Sequence, residues 1–312
     1  MSQNHTMMQF FEWHILPDGT HWKRLKELAS ELKDKGIDSV WIPPPTKAQT
    51  PEDTGYGIYD LYDLGEFDQN GSIRTKYGTK DELIEAIEAC KENDICVYAD
   101  VVMNHKAGAD ETERFKVIEV DQNNRMKEIS GPFDIDGWTK FTFPGRGDTY
   151  SSFKWNVEHF NGTDYDEGTV RTGIFKILGD HKGWNDNVDL EFGNYDYLMF
   201  ANIDYNHPVV REEMIKWGKW LTETLQCDGY RLDAVKHIDY TFIRDFALEM
   251  HQTHGDHFYM FGEYWNPDLK ACQEYLQKVE FTVDLIDVPL HFKLHHASQA
   301  GRDFDLRTIF DD

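Results

Sequence analysis

Short apolar runs alternate with longer amphipathic segments along most of the chain. The runs of strand length are Met7–Trp13, Ser39–Ile42, Ile95–Met103, Gly229–Asp233, Phe258–Gly262 and Phe281–Asp287. Most are continuous rather than alternating, the pattern of strands covered on both faces. Helical spacing predicts a helix from about Trp22 to Lys35, with Gly36 suited to the position just past its end. A second opens at Thr79, where Glu82 completes a capping-box pattern, and runs to about Glu92. A third follows Asn206-His207-Pro208 and reaches about Gln226, and a fourth spans about Tyr240–His251. A fifth starts with Asn266 as cap and Pro267 as its first residue. Strand and helix in alternation predict an α/β fold, a parallel sheet with helical crossovers.

One stretch breaks this rhythm. Residues 104–206 show no βα repeat, but many Gly, Asn and Asp residues among scattered aromatics. A structureless loop of that length is implausible in a compact domain, so the stretch reads as an inserted domain. The chain then divides into a first part of residues 1–103, an insertion of 104–206 and a second part of 207–312.

Charge narrows the partners. Acidic residues outnumber basic ones 57 to 32, a formal charge of −25, which repels phosphate backbones and argues against nucleic acid. It equally argues against anionic membrane surfaces, and no window approaches the ~20 apolar residues of a spanning helix. The start has neither a basic segment nor an apolar core of signal-peptide type. Cys90, Cys96, Cys227 and Cys272 show no C-x-x-C pairing and read as buried thiols in a reducing, cytoplasmic compartment.

The chemistry gathers at strand ends. The third apolar run ends Asp100-Val-Val-Met-Asn104-His105, the fourth Arg231-Leu-Asp233-Ala-Val-Lys236-His237, and the fifth Gly262-Glu263-Tyr264-Trp265. Asp233 and Glu263 stand 30 residues apart, one βα unit, which places them on neighbouring strands. In a (β/α)₈ barrel the reacting groups sit at the C-terminal ends of strands. Two carboxyls on such neighbours suit the roughly 5–5.5 Å separation of a retaining glycosidase. A lone Asp at a strand end is most often a cap, so the weight falls on the set.

That set resembles a known family. DVVMNHK, GYRLDAVKH, GEYW and GYGIYDLYDLGEF are similar to the signature segments of the α-amylase family, glycoside hydrolase family 13. FFEWH, GNYDYLM, GWNDNVD and GRDFDLRTIF resemble its bacterial liquefying branch, nearest the cytoplasmic members. The resemblance implies a (β/α)₈ TIM-type barrel with a B domain inserted after the third strand, bound calcium, and endo-hydrolysis of α-1,4-glucans in starch, glycogen and maltooligosaccharides by a full-length monomer. It makes Asp233 the nucleophile and Glu263 the general acid, in an apolar setting from Phe261 and Trp265. Arg231, on the same face of its strand as Asp233, holds the nucleophile ionised or merely satisfies buried carboxylates. His105, Lys236 and His237 resemble subsite residues. Tyr56 stacks on sugar or packs locally, and Trp13 and Tyr59 are platform or core. Asn104, Asp196, Asn202 and the His237 carbonyl stand where the branch holds calcium. Asn161, Asn185 and Asn202 replace acids that serve extra metals in secreted members, which makes those extra sites weak or absent. Asp180, Asp186, Asp189 and Glu191 read as a solvated loop face.

Part of the family pattern has no counterpart. A third carboxylate, expected in an F-V-D-N-H-D-like segment, is not found, nor is a C-terminal β domain. Outside 104–206 the chain offers 209 residues for six strands. At about 35 residues per unit, a closed barrel of eight needs roughly 70 more. The expectation is therefore a C-terminally truncated α-amylase of about six βα units, with open sheet edges, poor solubility and little activity. The alternatives are a related 4-α-glucanotransferase or maltooligosaccharide-forming hydrolase, and an inactive fragment that at most binds glucans.

Overall fold

The computed structural model describes residues 5–310 of the chain. All the apolar runs enter one parallel sheet: β1 (Met7–Gln9), β2 (Ser39–Ile42), β3 (Cys96–Val101), β4 (Gly229–Leu232), β5 (Tyr259–Gly262) and β6 (Asp284–Leu285). Each strand pairs in parallel with the next, so spatial order repeats chain order. A sheet wound in one direction, each crossover returning one place along, is an arc of a (β/α)₈ barrel. Among the described residues the arc stays open, because β1 pairs only with β2 and β6 only with β5. Met7, Met8 and Tyr259 are accordingly exposed.

The crossovers are α1 (His21–Asp34), α2 (Lys80–Glu92), α3 (Pro208–Leu225), α4 (Tyr240–His254) and α5 (Leu269–Lys278), and α6 (Val288–Ala300) follows β6. The capping box at Thr79 and Glu82 forms as the spacing predicts. α5 begins later than expected: Asp268 is the cap, accepting from the Lys270 N–H at 2.9 Å, while Asn266 accepts from the Asp268 N–H in the preceding turn. Three strands are shorter than their apolar runs by more than one residue. β1 stops because the segment beyond Phe10 leaves the sheet for the rim of a cleft. β3 keeps Cys96–Val101 of its run. β6 is short because Glu280 and Phe281, at φ +55° and +56°, turn the chain after α5.

Strand alternation decides which side chains face the barrel interior. Tyr230 turns outward, its hydroxyl donating to the Gly218 carbonyl of α3 at 2.8 Å, so Arg231 turns inward. Gly229 is required by close approach, since a Cβ there would lie 1.8 Å from the Tyr259 carbonyl oxygen.

Residues 104–206 form a second, antiparallel sheet that the sequence reading did not resolve into strands. Glu111–Asp121 and Phe133–Lys140 pair as long strands, and Phe160–Asp166 joins Arg171–Ile177 to Ala201–Ile203. The Glu111–Asp121 strand buries Phe115, Val117 and Val120 while its charged positions stay outside. One hydrophobic core runs through both sheets and joins Phe115, Phe160 and Phe175 to the barrel. No helix among the described residues is long and apolar enough to cross a membrane. The expectation of four buried thiols fails at one place: Cys96, at the start of β3, is exposed.

Burial of His159 carries a pH prediction. Its Nδ1 accepts from the Asn156 N–H at 3.1 Å, and burial lowers its pKa to about 4. Between pH 6.5 and 4 the unfolded chain then holds this proton and the folded chain does not, so stability falls as the pH is lowered, by up to about 1.4 kcal/mol per unit. His159→Asn should flatten the pH dependence of the urea-unfolding free energy by that amount.

Candidate active site

β4 and β5 end in register, Leu232 beside Gly262, and each ladder continues one residue further. The Asp233 N–H donates to the Val101 carbonyl at 3.0 Å and the Glu263 N–H to the Leu232 carbonyl at 2.9 Å. Ala234, at φ +51°, then turns the chain away. Both carboxyls thereby reach the C-terminal mouth of the arc, in a cleft of about 720 Å³.

Arg231 joins them. Its Nη1 lies 2.7 Å from Asp233 Oδ1 and its Nη2 lies 2.6 Å from Glu263 Oε2. The same Nη1 donates to both oxygens of Asp100 at 2.9 and 3.0 Å. The guanidinium is buried and packs 4.9 Å from the Trp41 ring. One cation thus serves three carboxylates, so it satisfies buried acids and orients Asp233 at once. Burial raises the Glu263 pKa, and the nearby Asp233 charge adds to the rise while Arg231 opposes it.

Asp100 was not singled out in the sequence, and neither was Trp41. The Asp100 carboxylate takes, besides Arg231, the Tyr56 hydroxyl at 2.8 Å and the Trp41 Nε1–H at 3.1 Å. Burial pushes its pKa up, against the pull of Arg231. A signal existed, since Asp100 opens the polar strand end and stands directly across from Arg231 in the ladder.

Trp13, Tyr56, His105, Lys236 and His237 line the same cleft. Tyr56 stacks on Trp13 with centroids 5.8 Å apart and planes 16° apart, and Trp13 is 63% exposed, which makes it a rim platform rather than core. Tyr59 is the reverse, fully buried with its hydroxyl on Asp110 at 2.7 Å. His105 is buried with Nε2 2.9 Å from the Tyr56 carbonyl, and burial lowers its pKa. His237 Nδ1 lies 2.7 Å from the Tyr195 carbonyl, and burial lowers its pKa to about 4. Both rings are therefore neutral near pH 7, suited to hydroxyl groups.

The loop of acids is only partly a solvated face. Asp180 and Asp186 are exposed. Asp189 instead accepts from the Tyr264 hydroxyl, and Glu191 pairs with Lys236, whose Nζ also donates to the Trp265 carbonyl at 3.2 Å. These contacts tie the loop to the residue after Glu263 and to the cleft lysine.

Asn104, Asp196 and Asn202 lie outside the cleft in a buried amide network. Asp196 Oδ2 accepts from Asn161 at 2.7 Å and Oδ1 from Asn185 at 2.9 Å. Asn202 donates to Asn161 Oδ1 at 2.8 Å and accepts from Asn104 at 3.4 Å. Asn185 Oδ1 is buried with no hydrogen-bond partner. No group of three His, Cys, Asp or Glu side chains gathers as a metal cluster among the described residues.

Comparison with known proteins places this arrangement. The chain is 51% identical over 308 residues to a glucan 1,4-alpha-maltohexaosidase of Bacillus sp. (strain 707), a match covering 98% of this chain and 60% of that one. It is 45% identical to the cytoplasmic alpha-amylase of Escherichia coli (strain K12), over 99% of this chain and 63% of the relative. The chain therefore spans about 60% of the length of such relatives. An alpha-amylase from Geobacillus thermoleovorans, solved with acarbose, shares the fold with a TM-score of 0.63 at 20% identity, over 98% of this chain and 56% of that one. The family description "Alpha amylase, catalytic domain" matches residues 25–310, and the chain belongs to the alpha-amylase family.

Proposed function

We propose that the cleft takes an α-1,4-linked glucan and that Asp233 and Glu263 hydrolyse it within the chain with retention of configuration. The observation that carries this reading is the single Arg231 guanidinium holding both carboxyls at the ends of adjacent strands. Asp233 attacks the anomeric carbon as Glu263 gives its proton to the departing glycosidic oxygen, so the carbon–oxygen bond to the leaving sugar breaks while the bond to Asp233 forms. Glu263 then takes a proton from water, whose oxygen displaces Asp233 and restores both groups. Arg231 orients Asp233 through an ion pair of 2.7 Å, and burial of Glu263 favours the protonated form that the first step needs. Trp13 and Tyr56 offer stacking faces, while His105, Lys236 and His237 offer hydrogen bonds to neutral sugar hydroxyls.

The experiment is incubation of the chain with maltohexaose, with chromatography of the products and optical detection of their initial anomer. Shorter oligosaccharides released as the α-anomer are expected. Longer products would move the reading to a glucanotransferase, and neither binding nor cleavage would sink it.

Residues 104–206 act in this reading as an inserted domain between barrel parts 1–103 and 207–312, and Met199 and Phe200 at its end wall the cleft. The donors beside it fit one calcium ion: the Asp196 carboxylate, the Asn104 and Asn202 amide oxygens, the His237 carbonyl and the unpartnered Asn185 Oδ1. With one formal charge among them they do not suit a cluster of several cations. Calcium would supply structural charge at the junction of the two sheets. Calcium at a hundred times its Kd is worth about 2.7 kcal/mol to a protein that binds it only when folded. The melting temperature should therefore rise by roughly 5 °C on calcium addition, and Asp196→Asn should abolish the rise in calorimetry. The likeness to the cytoplasmic alpha-amylase of E. coli supports a cytoplasmic enzyme.

A further inference from the structure

We propose that Lys106 is a positioning residue: its buried ammonium clamps the cleft wall that carries Tyr56 and His105. Lys106 is 1% exposed, and its Nζ donates to the Tyr59 carbonyl at 2.5 Å. Three rings box the ammonium, with centroids at 4.9 Å (Phe141), 5.5 Å (Phe143) and 5.3 Å (Trp155). No carboxylate lies within ion-pair distance of it among the described residues. Burial lowers the pKa of Lys106 to about 7, and the rings and the Tyr59 carbonyl offset part of the water its amine has lost.

The clamp has a direction. Lys106 stands between His105, whose Nε2 lies 2.9 Å from the Tyr56 carbonyl, and Ala107, whose N–H donates to the Ile58 carbonyl at 2.7 Å. Three successive residues thus grip the segment from Tyr56 to Tyr59. That segment aims the Tyr56 hydroxyl at Asp100, and the rings of the box come from residues 141–155 of the second sheet region. Lys106 is the link through which that region sets the height of the Tyr56 platform above the carboxylates. The consequence for substrate rests on the glucan reading above; the consequence for the wall does not.

Lys106→Met tests it, because an unbranched thioether of similar length still packs against the rings but removes the amine, and with it the donor to Tyr59. Amide exchange in a peptide spanning residues 54–60 should quicken at least ~10-fold, with no change in 171–177. Unchanged exchange at 54–60 overturns the proposal, whatever the chain does with sugars. Should the Met variant fail to fold, Phe143→Leu removes one wall of the box and should show the same localised quickening. In maltohexaose titrations, Lys106→Met and Tyr56→Phe should each weaken binding about 10-fold and the double variant little more, because both act through one platform. A double variant weakened about 100-fold would mean independent roles and overturn the coupling. Absence of binding by the unaltered chain counts against the glucan reading alone.

Discussion

Asp233→Asn is expected to abolish cleavage of every α-glucosyl substrate, whereas Glu263→Gln should spare the first step, formation of the glycosyl-enzyme, on those that need no acid. The difference follows from what each carboxyl does. A nucleophile forms the bond to the anomeric carbon whatever group leaves, so its loss should reduce turnover at least ~10⁴-fold for maltohexaose and for α-maltosyl fluoride alike. A general acid contributes roughly 10²–10⁴-fold only where the departing oxygen must be protonated, and fluoride needs little such help. The measurement is the single-turnover burst of leaving group from both substrates with both variants, because Glu263 is also the base of the second step and steady-state kcat would fall with it on either substrate. Equal losses on the fluoride would assign the two roles wrongly. The prediction turns on Arg231 touching both carboxyls and on burial raising the Glu263 pKa.

Arg231→Met should cost the fold as much as the chemistry. Asp100 is 1% exposed and Asp233 6% exposed, and both lean on the same guanidinium as Glu263. Removing one partner of a buried ion pair costs about 3–5 kcal/mol, because the remaining charge is left without compensation. Here the remainder is a cluster of like charges, so the cost should lie at the upper end. The melting temperature should fall by roughly 10 °C. Adding Asp100→Asn to Arg231→Met should recover part of that loss, since it removes the most deeply buried of the stranded charges. Asp100→Asn in the unaltered background leaves Arg231 paired with Asp233 and Glu263. If the double variant is less stable than Arg231→Met, repulsion among the acids is not what Arg231 relieves.

Much of the site was legible because strand ends concentrate it. Asp233, Glu263 and Arg231 follow from one strand unit, its 30-residue spacing and the two-residue parity within it. Asp100 was equally visible but read only as part of a motif, since its partner lies 131 residues away and pairing across strands is a matter of register. Trp41 carried no local signal at all: its indole N–H meets Asp100 only because β2 and β3 are neighbours. Asp189 was misread for the same reason, and Glu191, exposed as expected, has a partner that the sequence did not show. In sequence they are two more acids in an acidic loop, and only the fold brings Tyr264 and Lys236 beneath them. The start of α5 was missed locally: Asn266 and Asp268 are both good caps, and the chain took the second.

The amino-acid sequence by itself determined the alternation that makes a parallel arc, the net charge of −25, and the pair of carboxyls on adjacent strands. Those features depend on spacing within one or two βα units, and spacing is preserved whatever the distant chain does. Only the tertiary structure decided how residues 104–206 become an antiparallel sheet, which polar residues share Arg231, and why Lys106 lies among three rings. Those outcomes depend on contacts between segments tens to more than a hundred residues apart, where a side chain's partner is set by register and packing and leaves no mark on its own neighbours.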